Sequence, residues 1–404
     1  MRLLYFYLML NHRQLFLLNN AQTSQSPRLL EIERAEGLYL YSPDGKKYMD
    51  MVSGFAVSNI GHRHPRVVAA IKAQVDQYMH VTVYGEFIQA PQVKFAEKLV
   101  SVLPPTLNSV YFVNSGTEAT EGALKLAKRF TGRKKIISCN HAYHGSTQGA
   151  LSVMGNEYYK SAYYPLLPEV TFIEFNDPAG LKNIDSGTAC IIIETIQGEA
   201  GVKVPDKDYL IALRQRCNET GTLLIMDEIQ TGFGRTGKLF AFEHFDISPD
   251  ILLLAKGIGG GMPIGAFISS REIMHTLTDN PILGHITTFG GHPVCCAAGL
   301  ATLETLLEDH LMKDVDKKEA LFRKLLVHPA IKEIRGKGLM LAIQLDSFQQ
   351  VEQVSKRATD EGVIIDWFLH CDTALRLAPP LIITEHEIQT ACYTILSVIN
   401  TYAN

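Results

Sequence analysis

The chain has 404 residues, 46% hydrophobic and 20% charged, with 38 basic against 42 acidic residues and a formal net charge of −4. That is long enough for two domains around a large core, and the composition is that of an ordinary globular protein. Mixed charge close to neutrality offers no footing for nucleic acid or an anionic membrane as partner.

Seven cysteines (Cys139, Cys190, Cys217, Cys295, Cys296, Cys371 and Cys392) form no C-x-x-C pair. The odd number argues against a disulfide framework or a metal site and suits a reducing cytoplasm. At the start, Arg2 precedes an apolar run from Leu3 to Leu10 that resembles a short signal-peptide core. No small-residue cleavage site follows, and His12 and Arg13 interrupt it, so a helical arm, or an over-long start with Met9 as initiator, is the better reading. No stretch approaches the roughly 20 apolar residues that span a bilayer.

Strand and helix patterns then alternate, which points to an α/β fold with a mostly parallel sheet covered on both faces. Apolar, β-branched runs predict strands at Ser109–Val113, Lys135–Ser138, Val170–Phe175, Ala189–Glu194, Thr222–Met226, Asp250–Leu254 and Gly265–Ser269. The clearest amphipathic helix spans Glu118–Phe130, with Ala119, Ala123, Leu126, Ala127 and Phe130 on one stripe. Past residue 293 a helix, Pro293–Leu307, leads to charged helices and short strands around Gly338–Leu345 and Ala374–Leu377. We therefore expect a large domain at 53–292, a smaller α+β domain at 293–404, and residues 1–52 as an arm that joins the small domain.

Open α/β sheets gather functional groups at the C-terminal ends of their strands. Ser109–Val113 runs into Asn114-Ser115-Gly116-Thr117, a helix start whose free N–H groups, thin glycine and two hydroxyls suit a phosphate. The plainer alternative is a helix cap, with Glu118 or Glu121 completing a capping box. Asp227 ends an apolar strand and can stay ionised beside a cationic heterocycle, or can simply cap the next turn. Lys256 follows another apolar strand and precedes Gly257 and Gly259–Gly261. A buried ammonium there is costly unless its pKa falls or the amine is used covalently, as a Schiff-base lysine is; the alternative is a side chain that snorkels to solvent. Together the anion-binding turn, the carboxylate and the amine match the phosphate, ring nitrogen and aldehyde of pyridoxal phosphate.

Residues 37 to about 385 resemble the class III (subgroup II) pyridoxal-phosphate aminotransferases, which include the ornithine, acetylornithine and 4-aminobutyrate enzymes and share fold type I. The resemblance rests on Asp44-Gly45-Lys46-Lys47-Tyr48-Met49-Asp50, Gly61-His62-Arg63-His64-Pro65, Asn114-Ser115-Gly116-Thr117-Glu118-Ala119 and Tyr143-His144-Gly145. It continues through Gln197-Gly198-Glu199-Ala200-Gly201-Val202, Asp227-Glu228-Ile229-Gln230-Thr231-Gly232, Thr288-Phe289-Gly290-Gly291-His292-Pro293 and Arg376-Leu377-Ala378-Pro379-Pro380-Leu381.

The resemblance implies that Lys256 carries the cofactor and moves the substrate proton. It further implies that Asp227 pairs with the ring nitrogen, Gln230 bonds the ring hydroxyl, and Ser115, Gly116 and Thr117 bind phosphate. Tyr143 would stack on the ring, with His144 and Glu194 also at the cofactor. Thr287 and Thr288 would reach the phosphate of a partner subunit, which makes the enzyme an obligate homodimer. Arg376 would receive a substrate carboxylate bidentately and Glu199 would gate it, with a plain surface salt bridge as the alternative for the pair. Tyr84, Gly85 and Phe55 are expected at the substrate mouth, with ordinary core positions as the alternative, and Ser146 is expected to bind substrate. Expected substrates are an amino donor and a 2-oxo acid.

Two positions depart from the family pattern. Ser146 stands where acetylornithine enzymes carry arginine, which weakens N-acylornithine as donor; Thr195 replaces a proline after Glu194.

Gly232-x-Gly234-x-x-Gly237 has dinucleotide spacing but no strand directly before it and no helix after, so a chance match is the better reading. His62, His64, His141 and His144 match no zinc spacing and are expected to serve as hydrogen-bonding groups. An aminomutase or racemase on the same fold, or a non-catalytic protein that keeps it, are the rivals; intact Lys256 and Asp227 speak against the last.

Overall fold

The computed structural model describes residues 10–402. Its centre is a seven-stranded sheet in the order Ser109–Val113, Gly265–Ser269, Ile251–Leu254, Leu223–Asp227, Thr188–Glu194, Lys135–Cys139, Val170–Ile173. Four neighbouring pairs are parallel, and Gly265–Ser269 runs antiparallel to both its neighbours. Strand ends fall within two residues of the sequence reading.

The continuous apolar runs are explained by burial on both faces. Ile191, Ile193, Leu224, Met226, Leu252 and Leu254 belong to one core, while Ile192, Ile225 and Leu253 belong to a second on the opposite face. That second core is closed by the helix Gly116–Thr131, whose Ala119, Ala123, Leu126 and Ala127 are buried. Phe130, assigned to the same stripe, is instead exposed in the last turn, next to the left-handed Gly132 that ends the helix.

Register brings the chemistry to one edge. Glu194 is level with Asp227, and Asp227 with Leu253. Because Gly265–Ser269 is antiparallel, its first residue faces Val113, so the turn at 114–117 opens on the same edge.

Two smaller sheets flank this one. Arg34–Glu36, Tyr39–Tyr41 and Lys47–Asp50 form an antiparallel ribbon completed by Val363–Ile364 in parallel, so early and late parts of the chain share a sheet. Glu333–Lys337, Met340–Gln344, Cys371–Leu377 and Asp366–Phe368 make the other, in which Arg376 pairs with Ala342 and Asp366. The helix read as Pro293–Leu307 spans Pro293–Glu308. Of the expected N-terminal arm, His12–Asn19 is a helix capped by Asn11, with no buried residue; residues 1–9 lie outside the described part. No helix among the described residues is long and apolar enough to cross a membrane. All seven cysteines are free thiols, six of them buried.

Candidate active site

The sheet edge opens on a cavity of about 520 Å³ lined by Ser115, Gly116, Thr117, Tyr143, His144, Ser146, Glu194, Asp227, Gln230 and Lys256. That volume lies within the ~300–1,000 Å³ typical of small-molecule sites. Sequence reasoning named all ten. It did not single out Val57, Ile196, Ile229, Met262, Pro263 and Ile264, which supply apolar wall. Ile229 could have been found as the apolar residue between two polar site residues.

At one end of the cavity, Ser115 caps the helix by accepting the Glu118 N–H at 3.3 Å. The expected capping box does not form. Glu118 reaches back one residue further, to the Asn114 N–H at 2.8 Å, and Glu121 accepts from Gly149 at 2.8 Å. As at any helix start, the first N–H groups, here those of Gly116 and Thr117, have no acceptor among the described residues. The turn is thin by necessity: a Cβ on Gly116 would lie 2.8 Å from Ile229 Cδ1, and one on Gly145 (φ +123°) would lie 2.3 Å from the Thr117 hydroxyl. This end therefore offers backbone donors, hydroxyls and room for an anion.

Asp227 ends its strand with both oxygens engaged. Oδ1 accepts the Ile229 N–H at 2.9 Å, and Oδ2 lies 2.7 Å from His144 Nδ1. Since the carboxylate accepts, the ring donates from Nδ1, and His144 Nε2 is left buried without a partner. The sequence offered no sign of this bond. Glu194 ties two turns together by accepting from Tyr143 N–H at 3.1 Å and Gly198 N–H at 2.8 Å. Burial pushes its carboxyl up to about 7.

Lys256 lies two residues past the end of the Ile251–Leu254 strand in a left-handed conformation, φ +52°, which a non-glycine residue adopts only under local constraint. Burial lowers its pKa from the ordinary lysine value, while Glu199, Asp227 and Glu194 pull the other way. Among the described residues no group accepts a hydrogen bond from Nζ. It is a lysine aimed into the cavity rather than one that snorkels away.

Outside the cavity's lining but in contact with its Gln230, Arg376 and Glu199, both buried, meet at 2.6 Å between Nη2 and Oε2. Burial raises the Glu199 carboxyl, but Arg376 outweighs it by charge and hydrogen bond and holds it at about 2. Gln230 bridges the pair, donating to Glu199 at 3.3 Å and accepting from Arg376 at 3.4 Å. The guanidinium also lies 4.4 Å from the Phe368 ring centre and 5.1 Å from that of Phe55.

Ser146, on the cavity wall, is 3.3 Å from the Tyr143 hydroxyl. Other expected residues fall elsewhere. Thr287 lies 3.5 Å from Asn114. Tyr84 lines a separate cleft, and Thr288 is exposed outside the cavity of its own chain. Thr195 bonds the neighbouring Glu228 at 2.7 Å, a contact that a proline could not make. The glycines of the 232–237 segment serve turns, Gly234 at φ +86° and Gly237 at φ +91°, in place of any nucleotide motif. His62 bonds Asp50 at 2.8 Å.

A cavity with an anion-binding helix start at one end, a carboxylate backed by a histidine, an amine of lowered pKa, and an aromatic and an aliphatic wall in Tyr143 and Ile229 fits pyridoxal phosphate. Comparison with known proteins agrees. Residues 20–399 match the family model for aminotransferase class-III. The chain is 42% identical over 367 residues to the acetylornithine aminotransferase of Methanocaldococcus jannaschii, covering 87% of this chain and 89% of that one. To the Bacillus subtilis acetylornithine aminotransferase it is 39% identical, with coverages of 90% and 93%. Among solved structures it is similar to the ornithine aminotransferase of Toxoplasma gondii, with TM-score 0.91, 29% identity and coverages of 99% and 98%. It is also similar to an amine transaminase from an uncultivated Pseudomonas species in its PLP-bound form, with TM-score 0.88, 29% identity and coverages of 95% and 98%. The chain belongs to the class III aminotransferases, pyridoxal-phosphate-dependent enzymes of fold type I.

Proposed function

We propose that this aminotransferase moves an amino group from an ω-amino acid or ornithine-like donor to 2-oxoglutarate, by a ping-pong cycle in one pocket. The single observation that carries the reading is the buried Glu199–Arg376 pair at 2.6 Å. With Glu199 in place the guanidinium is neutralised, and the pocket suits an amine with no carboxylate near the reacting carbon. With Glu199 displaced, Arg376 can grip the carboxylate of glutamate or 2-oxoglutarate.

When bound, the cofactor supplies an electrophilic carbon and a ring that accepts electrons. The protein does the rest. The amides of Gly116 and Thr117, with the hydroxyls of Ser115 and Thr117, would hold the cofactor's phosphate. Asp227, oriented by His144 and the Ile229 amide, would pair with the ring nitrogen. Tyr143 and Ile229 would confine the ring between an aromatic and an aliphatic wall. Lys256 Nζ, its basicity lowered by burial, would hold and move the substrate Cα proton.

Relatives named for acetylornithine leave the donor open here, because Ser146 and the Tyr143 hydroxyl beside it carry no charge where an arginine would recognise a carboxylate. The exposed Val93, Ile282, Leu283 and Ile286 line one cleft of about 810 Å³, and an apolar surface of that kind supports a homodimer. Free, mostly buried thiols support a cytoplasmic setting.

The test is a donor panel (ornithine, acetylornithine, 4-aminobutyrate, lysine, β-amino acids, diamines) scored by loss of the bound cofactor's visible absorbance, followed by recovery with 2-oxoglutarate or pyruvate. We expect an ω-amine to bleach the band and 2-oxoglutarate to restore it. Recovery with pyruvate alone overturns the acceptor, acetylornithine as best donor overturns the argument from Ser146, and failure of every ω-amine to bleach the band overturns the donor class.

A further inference from the structure

Arg376 is one of three groups that hold the Glu199 carboxylate. The Leu369 N–H donates to Oε2 at 3.0 Å, and Gln230 donates to Oε1 at 3.3 Å. Two of these donors are side chains that can follow a moving carboxylate or turn to another partner. Leu369 offers a backbone amide, which cannot, so any swing of Glu199 leaves that donor without its acceptor unless the turn moves too.

The turn is fastened. The peptide unit joining Leu369 to His370 is held at both ends: its carbonyl accepts the Tyr159 hydroxyl at 2.9 Å, and its N–H donates to the Glu199 carbonyl at 3.0 Å. His370 adds a third tie through Nδ1 to the His141 carbonyl at 2.9 Å, with the Tyr159 ring 5.4 Å from its own. From Tyr159 to Arg376 the connections are therefore continuous: hydroxyl, clamped peptide, amide, carboxylate, guanidinium.

We infer that the Leu369–His370 turn is a second latch on Glu199, and that Tyr159, through its hydroxyl, sets how readily Arg376 is released to a carboxylate-bearing substrate. This rests on the reading of Glu199 as a gate. Tyr159 is a positioning residue: it acts through the turn, which aims the Leu369 amide. A ligand that binds only the unlatched state has its apparent affinity reduced by the latched fraction, so weakening the latch tightens that ligand. One hydrogen bond lost is worth roughly three- to tenfold in this equilibrium.

The experiment measures binding of glutarate, a dicarboxylate that cannot react, to the holoenzyme by calorimetry, in wild type, Tyr159→Phe and Glu199→Gln. The donor KM is measured alongside. We expect Tyr159→Phe to bind glutarate roughly three- to tenfold more tightly, Glu199→Gln to bind it more tightly still, and the donor KM of Tyr159→Phe not to fall. If Glu199→Gln tightens glutarate and Tyr159→Phe does not, or weakens glutarate and donor alike, the latch is wrong while the gate stands. If Glu199→Gln leaves glutarate unchanged, the gate itself is wrong and the latch falls with it.

Discussion

Two carboxylates stand side by side at the end of the Leu223–Asp227 strand, and their partners differ in kind. Asp227 opens on the cavity beside His144. Glu228 is enclosed by four donors: the hydroxyls of Thr195 and Thr231, both at 2.7 Å, and the N–H groups of Ala241 and Phe242 at 2.9 and 2.8 Å. Burial still pushes the Glu228 carboxyl from 4.5 up to about 7 against those donors. The folded state then keeps a proton that the unfolded chain releases, so this group's contribution to stability is present at low pH and is lost as pH rises through about 7. Glu228→Gln cannot release a proton, but its NH2 group is set against one backbone N–H, that of Ala241 or Phe242, a cost of ~1–3 kcal/mol at every pH. Thermal unfolding should find the variant less stable at pH 5 and the gap narrower at pH 8; a gap that widens with pH contradicts the assignment. Asp227 and Lys256 were legible in the sequence because each follows an apolar strand that cannot keep a charge idle. The His144–Asp227 bond was not, since the two residues lie 83 positions apart and share no local pattern. Nor was the pairing of Glu199 with Arg376, 177 apart, which only the family resemblance suggested.

Elements divide by how much of their reason is local. The central strands were readable because both faces are buried, which turns alternation into unbroken apolar runs. Arg34–Glu36 and Tyr39–Tyr41 were not, because three residues with mixed polarity carry too short a signal and owe their pairing to a sheet completed by Val363–Ile364. The Gly116–Thr131 helix shows a constraint that no periodicity reveals. A Cβ at Gly122 would lie 2.3 Å from the Phe267 ring, so the helix sits at a depth only glycine allows, and that depth places the amides of its first turn at the cavity. Gly122→Ala is expected to cost ~1–3 kcal/mol of stability through overpacking, despite the better helix propensity of alanine. Denaturant unfolding checks this, and a stabilised variant would mean the helix is free to shift.

At the scale of the whole molecule, the proposed dimer accounts for apolar residues that a lone chain leaves in water. Ile282 is 74% exposed and Leu283 56%, in the cleft that holds Tyr84, and Thr288 stands exposed a few residues further on. In the proposed dimer a partner seated there would cover these side chains, and Thr288 would serve the other chain's cofactor. Sedimentation should show a dimer for the wild type. Ile282→Asp combined with Ile286→Asp should shift it toward monomer and reduce cofactor retention together; a fully active wild-type monomer would refute the shared-site arrangement. The most direct test of the central claim is to reduce the holoenzyme with borohydride, digest it and map the pyridoxyl label. The label is expected on Lys256 alone; a label on any other lysine, or none on a protein supplied with the cofactor, contradicts the account.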